Sequence, residues 1–256
     1  MDNKINVVML CGDGESSRIM FNGIASHVNI ERIVFENKVS SKVLIQRRIK
    51  KLGITTVFGQ VLFILVNKLL ARPSRARISQ LILDYGLSDT HPPENITTFV
   101  NSINDEETIN LLKKINPDAV VVNGTRIISG NVLSSVNAPF INTHMGITPK
   151  YRGVHGGYWA LAMNDSANCG VTVHLVDQGI DTGGILYQDT IHPNQDDNFN
   201  TYPIHQIAKA IPLMKEALDD VREKRLKIKK STLPSQLWYH PTILDYAKYW
   251  IQRGIK

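Results

Sequence analysis

The chain has 256 residues, 43% apolar and 20% charged, an ordinary globular composition that by length makes one large domain or one domain with an appendage. Its two cysteines, Cys11 and Cys169, allow at most one bridge and sit in no CxxC or Cys/His cluster, which argues against a structural zinc site and for a reducing, cytoplasmic setting. The formal net charge is +6 with a pI near 9.2, and much of the excess lies in residues 42 to 77 and 222 to 230; such clusters attract anionic substrates, nucleic acid or anionic membranes, although a solvated face is the commoner outcome.

Met1, Asp2, Asn3 and Lys4 contain no basic stretch leading into an apolar core, so no secretory signal is expected. Ile5-Asn6-Val7-Val8-Met9-Leu10 is a short apolar run ending in Cys11-Gly12-Asp13-Gly14. Residues 15 to 27 suit a helix, which gives a strand, a glycine turn and a helix. Arg32-Ile33-Val34-Phe35 reads as a second strand. Residues 42 to 86 break the rhythm as a helical insertion. Its apolar core, residues 54 to 66, falls short of the roughly 20 residues a spanning helix needs. A buried helix is expected there, with an interfacial membrane helix as the alternative.

The alternation then resumes. Ile96-Thr97-Thr98-Phe99-Val100 reads as a strand, residues 105 to 115 as a helix, and Pro117-Asp118 as a turn into Ala119-Val120-Val121-Val122. Residues 136 to 141 lead into a further buried strand. This pattern predicts an α/β fold with a doubly wound, mostly parallel, Rossmann-like sheet and ligands at the carboxyl ends of its strands. Residues 202 to 224 suit one helix, with Pro212 awkwardly inside it. Residues 225 to 256 hold Trp238, Tyr239, Tyr246, Tyr249 and Trp250, which are expected to pack on the body or on a second copy. The expected division is a catalytic domain over residues 1 to 224 and a short aromatic extension over residues 225 to 256.

The densest chemistry lies between residues 140 and 190. Asn142 and His144 alternate on an extended backbone and so share one face, directly after an apolar run. An amide donor beside an imidazole suits an acyl carbon under attack, since Asn donates to a developing oxyanion and His donates a bond or relays a proton. Asp181 sits in Gly179-Ile180-Asp181-Thr182-Gly183-Gly184, a loop that can carry a carboxylate close to a substrate, to orient the imidazole or take the proton lost by an amine. Spacing alone leaves a structural role open for all three. His155 and His174 are weaker candidates, and His174, inside a predicted strand, reads as a satisfied core histidine.

With these residues in view, the chain resembles the formyltransferase family that uses 10-formyltetrahydrofolate, which includes the glycinamide ribonucleotide, methionyl-tRNA and nucleotide-sugar enzymes. The likeness is carried, in order, by Asn142-x-His144, Pro149-Lys150-Tyr151-Arg152-Gly153, Gly170-Val171-Thr172-Val173-His174 and Asp181-Thr182-Gly183. It spans residues 116 to 190 strongly and residues 5 to 26 weakly. The resemblance implies the formyltransferase fold, 10-formyltetrahydrofolate as co-substrate with no metal, and Asn142, His144 and Asp181 as the catalytic trio. It also implies a pterin pocket lined by Asn123, Gly124, Thr125, Arg126, Ile127 and Ile128, partly through backbone groups. The loop containing Leu175, Val176, Asp177, Gly179, Ile180 and Asp181 would close its other side. In the implied mechanism an unprotonated amine attacks the formyl carbon, Asn142 and protonated His144 stabilise the oxyanion, and Asp181 removes the amine proton. Gly12, Gly14, Lys150, Tyr151, Arg152 and Gly153 are the implied acceptor-binding positions. Met145-Gly146-Ile147-Thr148-Pro149 departs from the Ser-Leu-Leu-Pro of many relatives, which alters the loop bordering the acceptor.

Asp13 and Glu15 flank the first glycine turn and disfavour the phosphate that the glycinamide ribonucleotide enzymes hold there. Only residues 191 to 256 follow the shared segment, less than the C-terminal barrel implied for a tRNA enzyme. A nucleotide-linked amino sugar, formylated for surface polysaccharide such as lipopolysaccharide, is therefore the expected acceptor. The alternatives are methionyl-tRNA, glycinamide ribonucleotide or an amino-acid-derived amine, a formyltetrahydrofolate hydrolase, and a non-catalytic folate- or membrane-binding protein. Expected partners are the folate and the amine, without nucleic acid; membrane contact would run through residues 54 to 66, and the aromatic tail is compatible with a homodimer.

Overall fold

The computed structural model describes residues 4–256; Met1, Asp2 and Asn3, on which the reading of the N-terminus partly rests, lie outside the described residues. The first half of the chain runs β1 (Asn6–Gly12), α1 (Glu15–Ile24), β2 (Asn29–Glu36), α2 (Ser41–Leu52), α3 (Ile54–Asp84), β3 (Thr97–Val100), α4 (Glu106–Ile115) and β4 (Ala119–Asn123). It continues through α5 (Gly130–Leu133), β5 (Phe140–His144), β6 (Arg152–Gly153), α6 (Gly156–Ala162), β7 (Gly170–Leu175) and β8 (Ile185–Thr190). The last elements are α7 (Tyr202–Arg222), β9 (Leu237–Trp238) and α8 (Ile243–Arg253).

Seven strands form one sheet in the order β3-β2-β1-β4-β5-β7-β8. The pairings from β3 to β5 are parallel, whereas β7 and β8 are antiparallel to their neighbours. The predicted doubly wound, mostly parallel α/β sheet is therefore present, with an antiparallel edge that the strand-helix rhythm did not announce. Alternate residues of β1 explain its unbroken apolar run. Val7, Met9 and Cys11 face a layer containing Ile19, Met20, Ile207 and Met214 of α1 and α7, while Val8 and Leu10 face Leu112 and Val132 of α4 and α5. Pro212 is accommodated inside α7.

The aromatic extension packs on the body. Trp238 stacks on Trp159 at 4.7 Å and on Tyr151 at 5.7 Å, and β9 pairs with β6. Tyr246 of α8 is buried beside Tyr158 and Phe63, so α6, α8 and α3 share an aromatic cluster.

The expectation of a buried helix over residues 54 to 66 needs correction. That segment begins a 31-residue helix, α3, which is long and apolar enough to cross a membrane by length and composition alone. It buries one face, including Val57, Gln60 and Phe63, while Ile54, Phe58, Leu65 and Leu69 stay exposed. The physical reason is that α3 is apolar all round but meets the body on only one side. Helix α2 has no buried residue at all.

The turn after β1 packs tightly against the β4 turn. A Cβ placed on Gly12 would lie 2.4 Å from the Gly124 carbonyl oxygen, backbone that has no room to yield. Gly12→Ala should therefore lower unfolding stability by about 1–3 kcal/mol, the usual cost of an overpacked core, read as a shift in the denaturant midpoint at unchanged m-value.

Candidate active site

Strand β5 ends in the middle of the sheet, where parallel pairing with β4 gives way to antiparallel pairing with β7. The register sets Asn142 opposite His174 and His144 opposite Thr172. Asn142 Nδ2 donates to His174 Nε2 at 3.1 Å, and the other ring nitrogen of His174, Nδ1, faces the Leu175 carbonyl at 2.7 Å. A carbonyl only accepts, so Nδ1 carries the proton and Nε2 is the lone-pair acceptor. His174 is thus a buried histidine that is also part of the site: it fixes the amide of Asn142 and lies 3.7 Å from Asp181. The sequence reading of His174 as a core residue describes its burial but misses this contact, which only the β5–β7 register reveals.

Asp181 enters from the loop after β7 in a left-handed conformation, φ 50°. Its Oδ2 lies 3.2 Å from His144 Nδ1 and accepts the Gly153 N–H at 2.8 Å. His144 Nε2 in turn lies 2.6 Å from the Tyr151 carbonyl oxygen. Both ring nitrogens of His144 therefore face acceptors, and only the imidazolium satisfies both. Burial pushes the His144 pKa below its ordinary value, opposed by the Asp181 charge and the Tyr151 carbonyl. Burial alone would raise the Asp181 pKa, but the neighbouring His144 charge and the Gly153 N–H hold it below the ordinary carboxylate value.

These groups line a cavity of about 960 Å³, within the size range of small-molecule sites. Gly124, Thr125, Arg126, Ile127 and Ile128 line one side, and Val176, Asp177, Gly179 and Ile180 line the other. Not every group there is free. The Arg126 N–H and guanidinium both bind Glu36, and the Ile127 carbonyl accepts from Asn104, so the loop is tethered by some of the same backbone groups that sequence reasoning left to a ligand.

Other expected positions lie off the cavity wall. Leu175 does not line the cavity; its side chain packs on the core and its carbonyl accepts from His174. Gly12 and Gly14 also lie outside the lining, with Gly12 against Gly124. Lys150 and Tyr151 turn away: the Tyr151 hydroxyl donates to Asp165 at 2.7 Å, and Lys150 Nζ pairs with the same carboxylate. Arg152 donates to the Ile180 carbonyl at 3.0 Å, bracing the Asp181 loop, and of this tetrad only Gly153 reaches the cavity wall.

Sequence reasoning also missed part of the wall. Arg47 and Arg48 of α2, Gln60 of α3, and Tyr239 and His240 after β9 extend the cavity beyond the trio. His155 and His240 meet there at 2.9 Å. Burial, each other's company and nearby Arg48 push His155 down to about 3, and burial with Arg48 pushes His240 down to about 4. Neither basic nor aromatic sequence clusters point to this pairing, because it joins residues from distant parts of the chain.

Comparison with known proteins gives a consistent family. The sequence profile described as Formyl transferase matches residues 83–210, half of the chain. A methionyl-tRNA formyltransferase of Thermodesulfovibrio yellowstonii is 34% identical over 140 residues, 54% of this chain and 44% of that protein. The chain spans less than half the length of the first curated relatives it matches. Among solved structures, a sugar N-formyltransferase from a Shewanella species superposes with a TM-score of 0.55 at 16% identity, covering 91% of this chain and 76% of that one. Glycinamide ribonucleotide transformylase 1 from Symbiobacterium toebii gives 0.58 at 16% identity, covering 90% and 92%. At such identities the structural likeness speaks for the fold.

The neutral His155–His240 pair makes stability depend on pH. In the unfolded chain both rings take a proton near pH 6.5, whereas in the folded chain they do so only at about 3 and about 4. Because their folded pKa values are depressed, their contribution is complete above pH 6.5 and is lost progressively as pH falls toward 4. Thermal melts across that window should show a falling Tm, and His240→Gln should remove about half of the slope at pH 5–6.

Proposed function

This chain belongs to the formyl transferase family, and on that premise we propose that it moves a formyl group from 10-formyltetrahydrofolate to a primary amine. The observation that carries this reading is the direct contact of Asn142, His144, His174 and Asp181 at the carboxyl end of β5, beside one continuous cavity. The folate takes the space between residues 124–128 and the 176–180 loop.

The unprotonated amine nitrogen attacks the formyl carbon, and the carbonyl electrons move onto oxygen. Asn142 spends one amide N–H on His174 and has the second for the oxyanion. His144, held between Asp181 and the Tyr151 carbonyl, contributes its positive charge in a site largely shielded from water. Asp181 Oδ2 is occupied by His144 and Gly153, which leaves Oδ1 to accept the amine proton, directly or through one water. Collapse of the intermediate breaks the bond to N10 of the folate, and that nitrogen receives the proton. The amine loses one proton and tetrahydrofolate gains one, so no metal or oxidant is needed.

The acceptor this reading favours is an amino sugar carried on an anionic group such as a nucleotide. Arg47 and Arg48 stand on the cavity wall with no acidic partner among the described residues, and the fold is shared with sugar N-formyltransferases. The second reading is methionyl-tRNA, which the sequence relatives favour. The enzyme is expected to act in the cytoplasm.

Incubation with 10-formyltetrahydrofolate and a panel of amino-sugar nucleotides and methionyl-tRNA, followed by tetrahydrofolate release and product mass, tests this. A product heavier by one formyl group on an amino sugar is expected, with Asn142→Ala lowering kcat by about 10²–10³-fold and Asp181→Ala abolishing measurable turnover. Formylated methionyl-tRNA would select the second reading, and formate release without an amine would replace both with hydrolysis.

A further inference from the structure

We infer that the outer face of α2 and α3 docks on an anionic membrane surface, with the helices lying along the bilayer. Along α3, Ile54, Phe58, Leu62, Leu65 and Leu69 recur every three or four residues and form one apolar stripe. Phe58 is 65% exposed, Leu65 53% and Leu69 60%. Helix α2 adds Val43, Leu44 and Ile45, all exposed. Apolar side chains in such a run are costly to leave in water, and contiguous patches of this kind mark sites of contact.

Charge identifies what covers the patch. Between positions 37 and 83 the sequence has ten lysines and arginines and no acidic residue; Arg47 and Arg48 reach the cavity wall and Arg77 pairs with Asp197, which leaves the other seven for the outer surface. With 29 basic and 23 acidic residues in the whole chain, everything outside this segment is net acidic. A second copy of the chain, packed face to face through the same helices, would set this positive segment against itself. An anionic lipid surface attracts it, and apolar residues interleaved with lysine and arginine are the pattern of a helix lying in the headgroup layer.

The contacts of α3 also decide between lying on the bilayer and crossing it. Gln60 donates to the His240 carbonyl at 2.8 Å, the Asn67 and Asn200 side chains exchange bonds at 3.1 and 3.0 Å, and Arg77 pairs with buried Asp197 at 3.0 Å. A helix tied to the protein along one flank by these polar groups has only its opposite flank to offer lipid. The same two helices supply Arg47, Arg48 and Gln60 to the cavity wall, so docking brings the cavity up to the headgroup layer. This inference concerns the surface and stands whichever amine is formylated.

Co-sedimentation of the full chain with vesicles of phosphatidylcholine alone, or of phosphatidylcholine with phosphatidylglycerol, tests it. Binding is expected only to the anionic vesicles and should weaken as salt is raised. The double substitution Phe58→Asp and Leu65→Asp should reduce partitioning by more than about tenfold; both side chains are exposed, and an unchanged circular dichroism spectrum and Tm verify folding. Lys42→Gln and Lys50→Gln should each cost about fivefold. Failure of the unsubstituted chain to bind anionic vesicles, or undiminished binding by the Asp variant, overturns the inference. So does a concentration-dependent dimer that the Asp substitutions dissociate and that binds no vesicles, since a second copy would then cover the face.

Discussion

A carboxylate removed from water must be given partners or it gives up its charge. Asp181 has them from two places: the imidazole of His144 on β5 and the Gly153 N–H on β6. Its charge is what makes a protonated His144 tenable in a buried position, and its left-handed backbone turns the 176–181 loop over the strand ends. Gly153 in turn pairs with Trp238, so the strand that steadies the carboxylate is itself steadied by the aromatic extension. The site is therefore held from both ends of the sequence segment it occupies, and substitutions in the extension are transmitted to it through β6.

How much of this could be read from the sequence depended on how local each feature is. Val7 to Leu10 and the valines of β4 announce buried strands because each residue reports its own burial, and the sheet forms where they predict. The Asn142 and His144 pair is legible for the same reason, since two residues apart on a strand share a face. His174 was not legible as a partner of Asn142. Its position follows from the antiparallel register of β5 and β7, and nothing in either strand alone states that register. Lys150 and Tyr151 lie inside a recognisable motif, yet their side chains turn to Asp165, because a motif fixes a stretch of backbone without fixing which way each side chain points. The same limit applies to α3: apolar composition told that a face would be covered, but not that the opposite face would be left bare.

The cavity holds two histidine arrangements with opposite electrostatics. His144 faces a carboxylate and a carbonyl and is arranged to hold a charge, while His155 and His240 face each other near Arg48 and are kept neutral. Similar side chains thus serve at one end as an imidazole with an acceptor at each nitrogen and at the other as uncharged donors and acceptors. The neutral end is open to a polar, hydrogen-bonding ligand without adding to the positive charge that Arg47 and Arg48 already supply.

The far wall of the cavity is assembled from residues near position 50 and residues near position 240, joined by such contacts as the Gln60 amide on the His240 carbonyl. Contacts this distant along the chain are slow to form, because a long loop must close before they return any energy. A protein made from its N-terminus onward can complete the strands up to β5 while α2 and α3 still lack the partner that anchors them. Until residues 197–200 and then 237–240 emerge, the nascent chain carries an apolar, basic helical hairpin whose inner face lacks its partners. The order of synthesis thus makes this hairpin the part of the chain most in need of a chaperone or a lipid surface before the enzyme is whole.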